Sequence, residues 1–332
     1  MGTVYRAEHT VLGGPAAIKV LLPKFTTDAS YVDRFFHEAK AASAIRHHGI
    51  VEVFDYGRLD NSQAYIIMEL LRGEGLADVL ARSGGKLPIP IAVLIAMQML
   101  AALDAAHVVD VVHRDLKPDN IMLVADASAP AGIRVKILDF GIAKLLGQRG
   151  AARHKTRGGT ILGTPSYMAP EQCKGGGEVT ARADIYATGC ILFEMLVGRP
   201  PFVGEGEGEV MAMHIYEPPP RLTAMDRTMP VELDALIAKM LHKSPEERVP
   251  SAAYALAALE RITMPALPTF GLAVRDRGQH VVSLAMPAAS ARDAREGGGM
   301  PRWLPIVVLV LAIAIAVIAV FAIGSTGRSL SK

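Results

Sequence analysis

The segment that most constrains the fold of this chain is a polar run between two apolar runs, at residues 112–123. Its sequence is VHRDLKPDNIML, and it places Asp115, Lys117 and Asn120 within six positions. The apolar flanks predict two short buried strands that hold the polar centre as a loop. A carboxylate can accept a hydroxyl proton, an ammonium group can neutralise phosphate charge, and an amide oxygen can bind a hard cation such as Mg2+. The three groups therefore suit the movement of a phosphoryl group.

The same run resembles the catalytic loop of eukaryotic-like, bacterial serine/threonine protein kinases. This resemblance implies that Asp115 orients the acceptor hydroxyl group, that Lys117 holds phosphate and that Asn120 holds Mg2+. Further along, a predicted strand ends in Asp139-Phe140-Gly141, and the resemblance makes Asp139 the second metal ligand. An ordinary polar turn between two strands is the alternative, which the order of the further kinase motifs disfavours.

An apolar strand predicted at residues 16–21 contains one lysine, Lys19, and a buried lysine needs a partner. The resemblance supplies two partners, the phosphates of ATP and a glutamate on the next helix. Helical spacing of apolar residues predicts that helix from about residue 30 to 45, with Asp28 as its cap. Glu38 borders the apolar face and is predicted to pair with Lys19, although an exposed glutamate is the ordinary alternative.

The chain begins MGTVYRAE, which resembles the second half of a kinase glycine-rich loop. Gly2 matches the third glycine of that loop, and Val4 matches the valine that packs on adenine. The sequence does not contain the first two glycines or the strand before them, so we expect a misassigned start codon or a fragment of a longer chain.

Residues 66–71, IIMELL, resemble the last strand of the small lobe and the hinge. Met68 matches the gatekeeper beside the adenine of ATP. The backbone groups of Glu69 and Leu71 are expected to bind the adenine edge.

Residues 142–168 resemble an activation segment, and residues 148–159 are rich in glycine and basic side chains. Thr156 and Thr160 are predicted to be autophosphorylated, because a phosphothreonine could pair with Arg114 and order the segment. A flexible basic loop without this modification is the alternative.

Residues 163–171, GTPSYMAPE, resemble the substrate-docking turn and the Ala-Pro-Glu motif of these kinases. The resemblance implies that Thr164 hydrogen-bonds the catalytic loop and favours serine or threonine acceptors over tyrosine. It also implies two structural roles. Glu171 is predicted to be buried against Arg248, and Asp184 is predicted to brace the backbone of the catalytic loop.

The composition of the chain changes at about residue 263, toward Pro, Ala, Gly and Arg without periodicity, and predicts a mobile juxtamembrane linker to residue 303. Residues 304–323 then form a run of twenty uncharged residues, which is long enough to span a bilayer as a helix. A buried helix of a soluble domain is the alternative. Because ATP is cytosolic, the kinase domain should lie in the cytoplasm, with residues 324–332 as a short extracytoplasmic tail.

The formal net charge of +2 is too close to neutral to suggest a nucleic-acid partner, and two cysteines make a disulfide framework unfavoured. No signal peptide is expected at the N-terminus.

The sequence therefore predicts an α+β, two-lobed protein-kinase fold over residues 1–262. Its small lobe is rich in strands and lacks the first strand, its larger lobe is helical, and one transmembrane helix follows. The predicted function is a single-pass, membrane-anchored serine/threonine protein kinase that uses ATP and Mg2+, with Mn2+ as an alternative cation. Protein substrates, the membrane and a homodimer for autophosphorylation are the expected partners. A pseudokinase or scaffold is the main alternative, and a small-molecule phosphotransferase is disfavoured by the docking turn.

Overall fold

The computed structural model describes residues 2–10, 13–60, 63–140, 165–175, 179–272 and 275–276. All of these residues fall within one compact unit, Met1–Leu284. The predicted phosphorylation sites Thr156 and Thr160, the docking residue Thr164 and the predicted membrane span at 304–323 lie outside the described residues.

The first lobe consists of an antiparallel sheet and two helices. Its elements are β1 (Gly2–Glu8), β2 (Pro15–Leu21), α1 (Pro23–Thr26), α2 (Ala29–Ala44), β3 (Val53–Arg58) and β4 (Ala64–Glu69), and the strands pair in the order β1-β2-β4-β3. The predicted helix is confirmed as α2, and the carboxylate of Asp28 caps it by accepting the N–H of Ser30 at 2.9 Å. Val32, Phe35 and Ala39 form its buried stripe.

The second lobe is mostly helical and carries a second, smaller sheet. Its elements are β5 (Arg72–Gly75), α3 (Leu76–Arg82), α4 (Ile89–His107), β6 (Ile121–Ala125), β7 (Ile133–Ile137), α5 (Pro170–Lys174), α6 (Ala181–Val197), α7 (Glu207–Tyr216), α8 (Leu222–Met225), α9 (Val231–Met240), α10 (Ala252–Glu260) and β8 (Arg275–Asp276). The strands of the second sheet pair in the order β7-β6-β5-β8. The prediction of a strand-rich small lobe and a helical large lobe is thus confirmed.

Helices α4 and α6 pack together at the centre of the second lobe. Within the described part of the chain, α4 is the helix that is long and apolar enough to cross a membrane, but most of its side chains are buried in the lobe. Its polar residue Gln98 donates to the carbonyl of Ile133 and accepts the N–H of Val135, both at 2.9 Å. Gln98 therefore supplies hydrogen bonds to β7, and α4 is a core helix of the lobe.

The prediction of a strand before the catalytic loop is wrong. Residues 111–117 have an irregular backbone, and only the strand after the loop, β6, is present among the described residues on either side. The N–H groups of His113 and Arg114 donate to the carboxylate of Asp184, each at 2.8 Å. The Asp184 side chain accepts the hydrogen bonds that a neighbouring strand would otherwise accept, because buried N–H groups need an acceptor.

Part of the predicted mobile linker lies against the second lobe. Phe270 and Leu272 pack on the main core, and Arg82 donates to the carbonyl of Gly271 at 2.9 Å. The guanidinium carbon of Arg82 also lies 5.8 Å from the Phe270 ring centroid. Strand β8 then pairs with β5, which follows the predicted hinge. A few apolar side chains in a Pro- and Ala-rich segment are enough to hold it, and average composition does not reveal them.

Candidate active site

The catalytic loop, residues 113–120, is held by one buried carboxylate. Asp184 is 1% exposed, and besides the two backbone N–H groups it accepts a hydrogen bond from the His107 ring at 2.9 Å. Arg114 has a left-handed backbone conformation, with φ at 64°, which costs a side-chain-bearing residue about 1 kcal/mol. The hydrogen bond from its N–H to Asp184 helps to hold this conformation. The sequence predicted that Asp184 braces this loop. In the structure Asp184 contacts both the loop backbone and the ring of His107.

The three polar groups of the loop lie close together. Lys117 Nζ is 3.7 Å from Asp115 Oδ2, and the side-chain amide of Asn120 donates to the Asp115 carbonyl at 2.8 Å. The carbonyl of Asn120 accepts the N–H of Leu138 at 2.8 Å, which brings Asp139 next to the loop. The side chain of His113, which sequence reasoning missed, adds a second link through its 2.9 Å contact with the Leu138 carbonyl.

Lys19 pairs with Asp139 and not with Glu38, which corrects the predicted ion pair. Lys19 Nζ lies 2.6 Å from Asp139 Oδ1, whereas the described residues give Glu38 no ion pair. The Lys19 side chain is 12% exposed and that of Asp139 is 49% exposed. A flexible lysine joins the carboxylate that can approach it most closely, and motif order alone does not specify which one this is.

The charges at this cleft influence one another. Removal from water raises the pKa of Glu38 to about 7; the ammonium of Lys19 opposes this shift, whereas the carboxylates of Asp139 and Asp115 add to it. Burial disfavours the charge on Lys19, but Asp139 and Glu38 together hold the pKa of Lys19 above its ordinary value. Burial also works against the Asp139 anion, but Lys19 holds the pKa of that carboxyl below its ordinary range. Four groups from distant segments therefore share one electrostatic environment.

Asn120 and Asp139 have the donor chemistry that a hard divalent cation prefers. The Asn120 amide nitrogen donates to the Asp115 carbonyl, so the amide oxygen is the atom of this side chain that could bind a cation. One oxygen of Asp139 faces Lys19, and the half-exposed carboxylate retains a second oxygen. Carboxylate and amide oxygens are the ligands that Mg2+ takes from proteins. These residues fit the predicted metal.

An apolar cluster lies next to the predicted hinge. Val51, Leu71 and Met122 are buried together, and Met68 and Leu138 pack against them. This cluster connects the predicted gatekeeper and hinge to the strand that follows the catalytic loop. One of its members, Leu138, directly precedes Asp139. It can contact the flat face of a purine ring. Sequence reasoning missed Met122 and Leu138, whose apolar character is ordinary for strand residues.

The side chain of Glu69 has a role of its own at this hinge. Glu69 Oε1 accepts the N–H of Glu52 at 2.8 Å and forms an ion pair with Lys136 on β7. The hinge backbone is thereby tied to the second lobe. The other predicted nucleotide contacts lie on β1, where Gly2 pairs with Leu21 and Val4 pairs with Lys19. A Cβ atom on Gly2 would lie only 2.6 Å from the Val20 carbonyl oxygen, so a side chain there would clash.

The predicted docking turn is described from Pro165 onward. Residues Pro165–Tyr167 form one 3-10 turn, and the Tyr167 hydroxyl donates to Glu194 on α6 at 2.7 Å. Tyr167 and Met168 line the same small cavity as Asp115 and Lys117, so the turn adjoins the catalytic loop. Gln172, another residue that the sequence did not single out, donates to the Arg114 carbonyl at 2.8 Å.

The structure also brings Glu171 and Arg248 together. The guanidinium of Arg248 donates to both carboxylate oxygens of Glu171, at 2.8 and 2.7 Å. The Arg248 side chain is fully buried and that of Glu171 is 11% exposed. This pair lies away from Lys19 in sequence and role, and it anchors the segment that follows the docking turn.

A family model described as a protein kinase domain matches residues 1–258. The chain belongs to the protein kinase family. The kinase domain of PknI from Mycobacterium tuberculosis has a similar solved structure, with a TM-score of 0.59 and 30% identity, covering 78% of this chain and 90% of that one. Two lobes with a strand-rich small lobe and a helical large lobe are thus the kinase fold.

Curated relatives of this kinase domain carry names of one class. Serine/threonine-protein kinase PknH of Mycobacterium tuberculosis is 40% identical over 266 residues, which cover 80% of this chain and 40% of the relative. Serine/threonine-protein kinase Pkn1 of Myxococcus xanthus is 40% identical over 305 residues, which cover 90% of this chain and 42% of the relative. The chain thus spans less than half the length of these relatives.

Proposed function

We propose that this chain is a serine/threonine protein kinase that transfers the γ-phosphoryl group of ATP to hydroxyl groups of proteins. The observation that best supports the proposal is the convergence of Lys19, Asp115, Asn120 and Asp139 at one cleft. The names of the relatives, which are serine/threonine-protein kinases, support the choice of serine and threonine as acceptors.

In the proposed reaction the acceptor oxygen attacks the γ-phosphorus, and the bond from that phosphorus to the β-phosphate oxygen breaks to release ADP. Asp115 orients the hydroxyl group and takes its proton. Lys117 and Lys19 hold phosphate oxygens and neutralise their charge. Asn120 and Asp139 would hold Mg2+, or Mn2+ in its place, which when bound supplies further neutralisation of phosphate charge. The chain contributes mainly position and electrostatics.

The variant Asp115→Asn tests the proposal. Phosphotransfer to protein should fall by about 10^2- to 10^4-fold, because the amide cannot accept the hydroxyl proton. Asp110→Asn is the matched control, since Asp110 is exposed and asparagine tolerates its left-handed φ of 58°. Circular dichroism should show both variants folded. Turnover by Asp115→Asn near that of the control would refute the assigned role.

A pseudokinase or signalling scaffold is the second candidate, and one observation favours it. Lys19 is engaged by Asp139, and Glu38 has no ion pair among the described residues. ATP binding should be measured on this chain and on a version extended upstream to include the whole glycine-rich loop. Absence of ATP binding by both would favour the scaffold, whereas binding by either favours the kinase.

Autophosphorylation of Thr156, and secondarily of Thr160, is proposed as the activating step. Arg114 supports it, because its Nε is buried and has no hydrogen-bond partner in the described part of the chain. A phosphothreonine would satisfy that guanidinium. Mass spectrometry after incubation with ATP should find these sites modified, and a rate that rises with protein concentration would indicate a homodimer. Two unmodified threonines in active protein would remove the proposal.

Membrane anchoring through residues 304–323 is proposed from sequence, with the kinase domain in the cytoplasm. The uncharged run matches the thickness of a bilayer. The full chain should remain with membranes during alkaline carbonate extraction. Its release into the soluble fraction would refute a spanning helix.

A further inference from the structure

His214 is a buried histidine with one unused ring nitrogen. It lies on α7 and is 0% exposed. Its Nδ1 is 2.8 Å from the hydroxyl of Tyr186 on α6, and the Phe202 ring meets it edge-on at 4.9 Å between centroids. Its Nε2 is buried without a hydrogen-bond partner among the described residues. Buried polar atoms rarely lack a hydrogen-bond partner, so the unpaired Nε2 of His214 needs an explanation.

The imidazole of His214 is neutral at physiological pH. Burial lowers the pKa of His214 to about 4, and the nearby ammonium of Lys243 lowers it further than burial alone would. Lys243 also donates to the carbonyls of Met213 and His214, at 3.0 and 2.8 Å, so it fixes the end of α7. Burial raises the pKa of Tyr186 well above its ordinary value, so its hydroxyl stays protonated and can donate to Nδ1. Nε2 then carries the ring proton and needs an acceptor.

The docking turn is adjacent to α7 and can supply that acceptor. The backbone of Ser166 raises the pKa of His214 against the effect of burial, as a carbonyl oxygen close to the ring does. The turn packs against both α7 and α6. The next residue, Tyr167, donates to Glu194, and it lines a cavity together with Asp115. A continuous chain of contacts therefore runs from α7 through the docking turn to the catalytic loop.

We propose that His214 is a positioning residue for the acceptor protein, and that its Nε2–H holds the backbone of Ser166 in the conformation that binds substrate. Hydrogen bonds at such sites are often long without substrate and shorten when it binds. The inference deepens the proposed kinase function and rests on it, since it concerns the acceptor side of the same reaction. It assigns His214 no contact with ATP or with the transferred phosphoryl group.

Simple core packing is the competing explanation. Tyr186 and Phe202 enclose a space that an apolar ring could fill without burying an unpaired nitrogen. A purely packing role does not require a polar atom at the Nε2 position. The two explanations differ in which variants of His214 restore function, because only a positioning role needs a donor at the Nε2 location.

Two amide variants separate the explanations. The side-chain length of His214→Gln places an N–H donor near the Nε2 position, whereas His214→Asn places its polar atoms near Nδ1. Steady-state kinetics would use the full chain and a threonine peptide selected by the unsubstituted kinase from a degenerate library. We expect His214→Asn to raise the peptide KM about tenfold while the ATP KM stays within about twofold, and His214→Gln to return the peptide KM to within about threefold.

Thermal unfolding of both variants provides the control for stability. Equal losses in Asn and Gln variants, or parallel changes in the KM of peptide and ATP, would overturn the positioning role and leave core packing. Failure of the unsubstituted kinase to modify any library peptide would instead refute the proposed function itself. The peptide KM of Tyr186→Phe should rise less than that of His214→Asn, because Nε2 keeps its place when only the Nδ1 partner is lost.

Discussion

Two ion pairs in this molecule are built in opposite ways. Arg248 makes two hydrogen bonds to Glu171, and its remaining N–H groups donate to the carbonyls of His242, Lys243 and Arg182. Lys19 makes one close contact with Asp139, which is half-exposed, and Glu38 sits nearby with a raised pKa. The pair in the large lobe is saturated, whereas the pair at the cleft retains capacity for a ligand. The difference separates charges that hold the fold from charges that serve the reaction.

The largest effect should come from breaking the saturated pair. Arg248→Met should lower the free energy of unfolding by about 3–5 kcal/mol, because it leaves the Glu171 carboxylate buried without a counter-charge. The measurement is urea unfolding followed by circular dichroism.

The double variant Glu171→Gln with Arg248→Met is the matched control for that prediction. It removes both charges and should recover part of the lost stability. A loss below about 1 kcal/mol in Arg248→Met would mean that water reaches Glu171 and that the two ion pairs do not differ in kind.

Sequence patterns predicted the parts of the fold that repeat locally. Apolar spacing and a capping aspartate located α2 to within a residue at each end. Motif order also named both partners of the saturated pair, Glu171 and Arg248. These features depend on short segments whose chemistry is visible in the residues themselves.

The remaining features depend on contacts between distant segments. The sequence predicted that Lys19 needs a partner and named Glu38, but only the packing of the lobes places Asp139 within reach of the ammonium. His113 looked like an ordinary histidine, because its role comes from the Leu138 carbonyl that the fold places beside it. Strand β8 was missed because its pairing with β5 is a backbone interaction that leaves no signature in side chains.

Glu38→Gln is expected to increase stability, whereas Arg248→Met is expected to decrease it. The pKa of Glu38 is about 7 in the folded chain against an ordinary value of 4.5. The protonated form stabilises the fold, so this stability is fully present below pH 4.5 and is lost as pH rises to about 7. Above pH 7 the ionised group disfavours folding, and glutamine should raise the free energy of unfolding by about 1–2 kcal/mol at pH 8.

Glu38→Gln should also weaken phosphotransfer. This result would show that Glu38 serves activity although its ionised form lowers stability. Between pH 4.5 and 7, the free energy of unfolding of Glu38→Gln should rise with pH relative to that of the unsubstituted chain, and Glu171→Gln should not show this relative rise. If glutamine at position 38 lowered stability at pH 8, Glu38 would be a structural charge like Glu171, and the contrast between the two regions would disappear.

The smallest effect on stability is expected from Lys19→Met. Burial disfavours the charge on Lys19, so losing that charge costs little. The Asp139 carboxylate is 49% exposed, so water can solvate it when methionine replaces the lysine. The free energy of unfolding should change by less than about 1 kcal/mol, while phosphotransfer is lost because no group replaces the ammonium on the phosphates. Unfolding and transfer measured on the same preparation would give both numbers. A loss of stability close to that of Arg248→Met would mean that the Lys19–Asp139 contact holds the two lobes together, and the cleft pair would then be as structural as the saturated one.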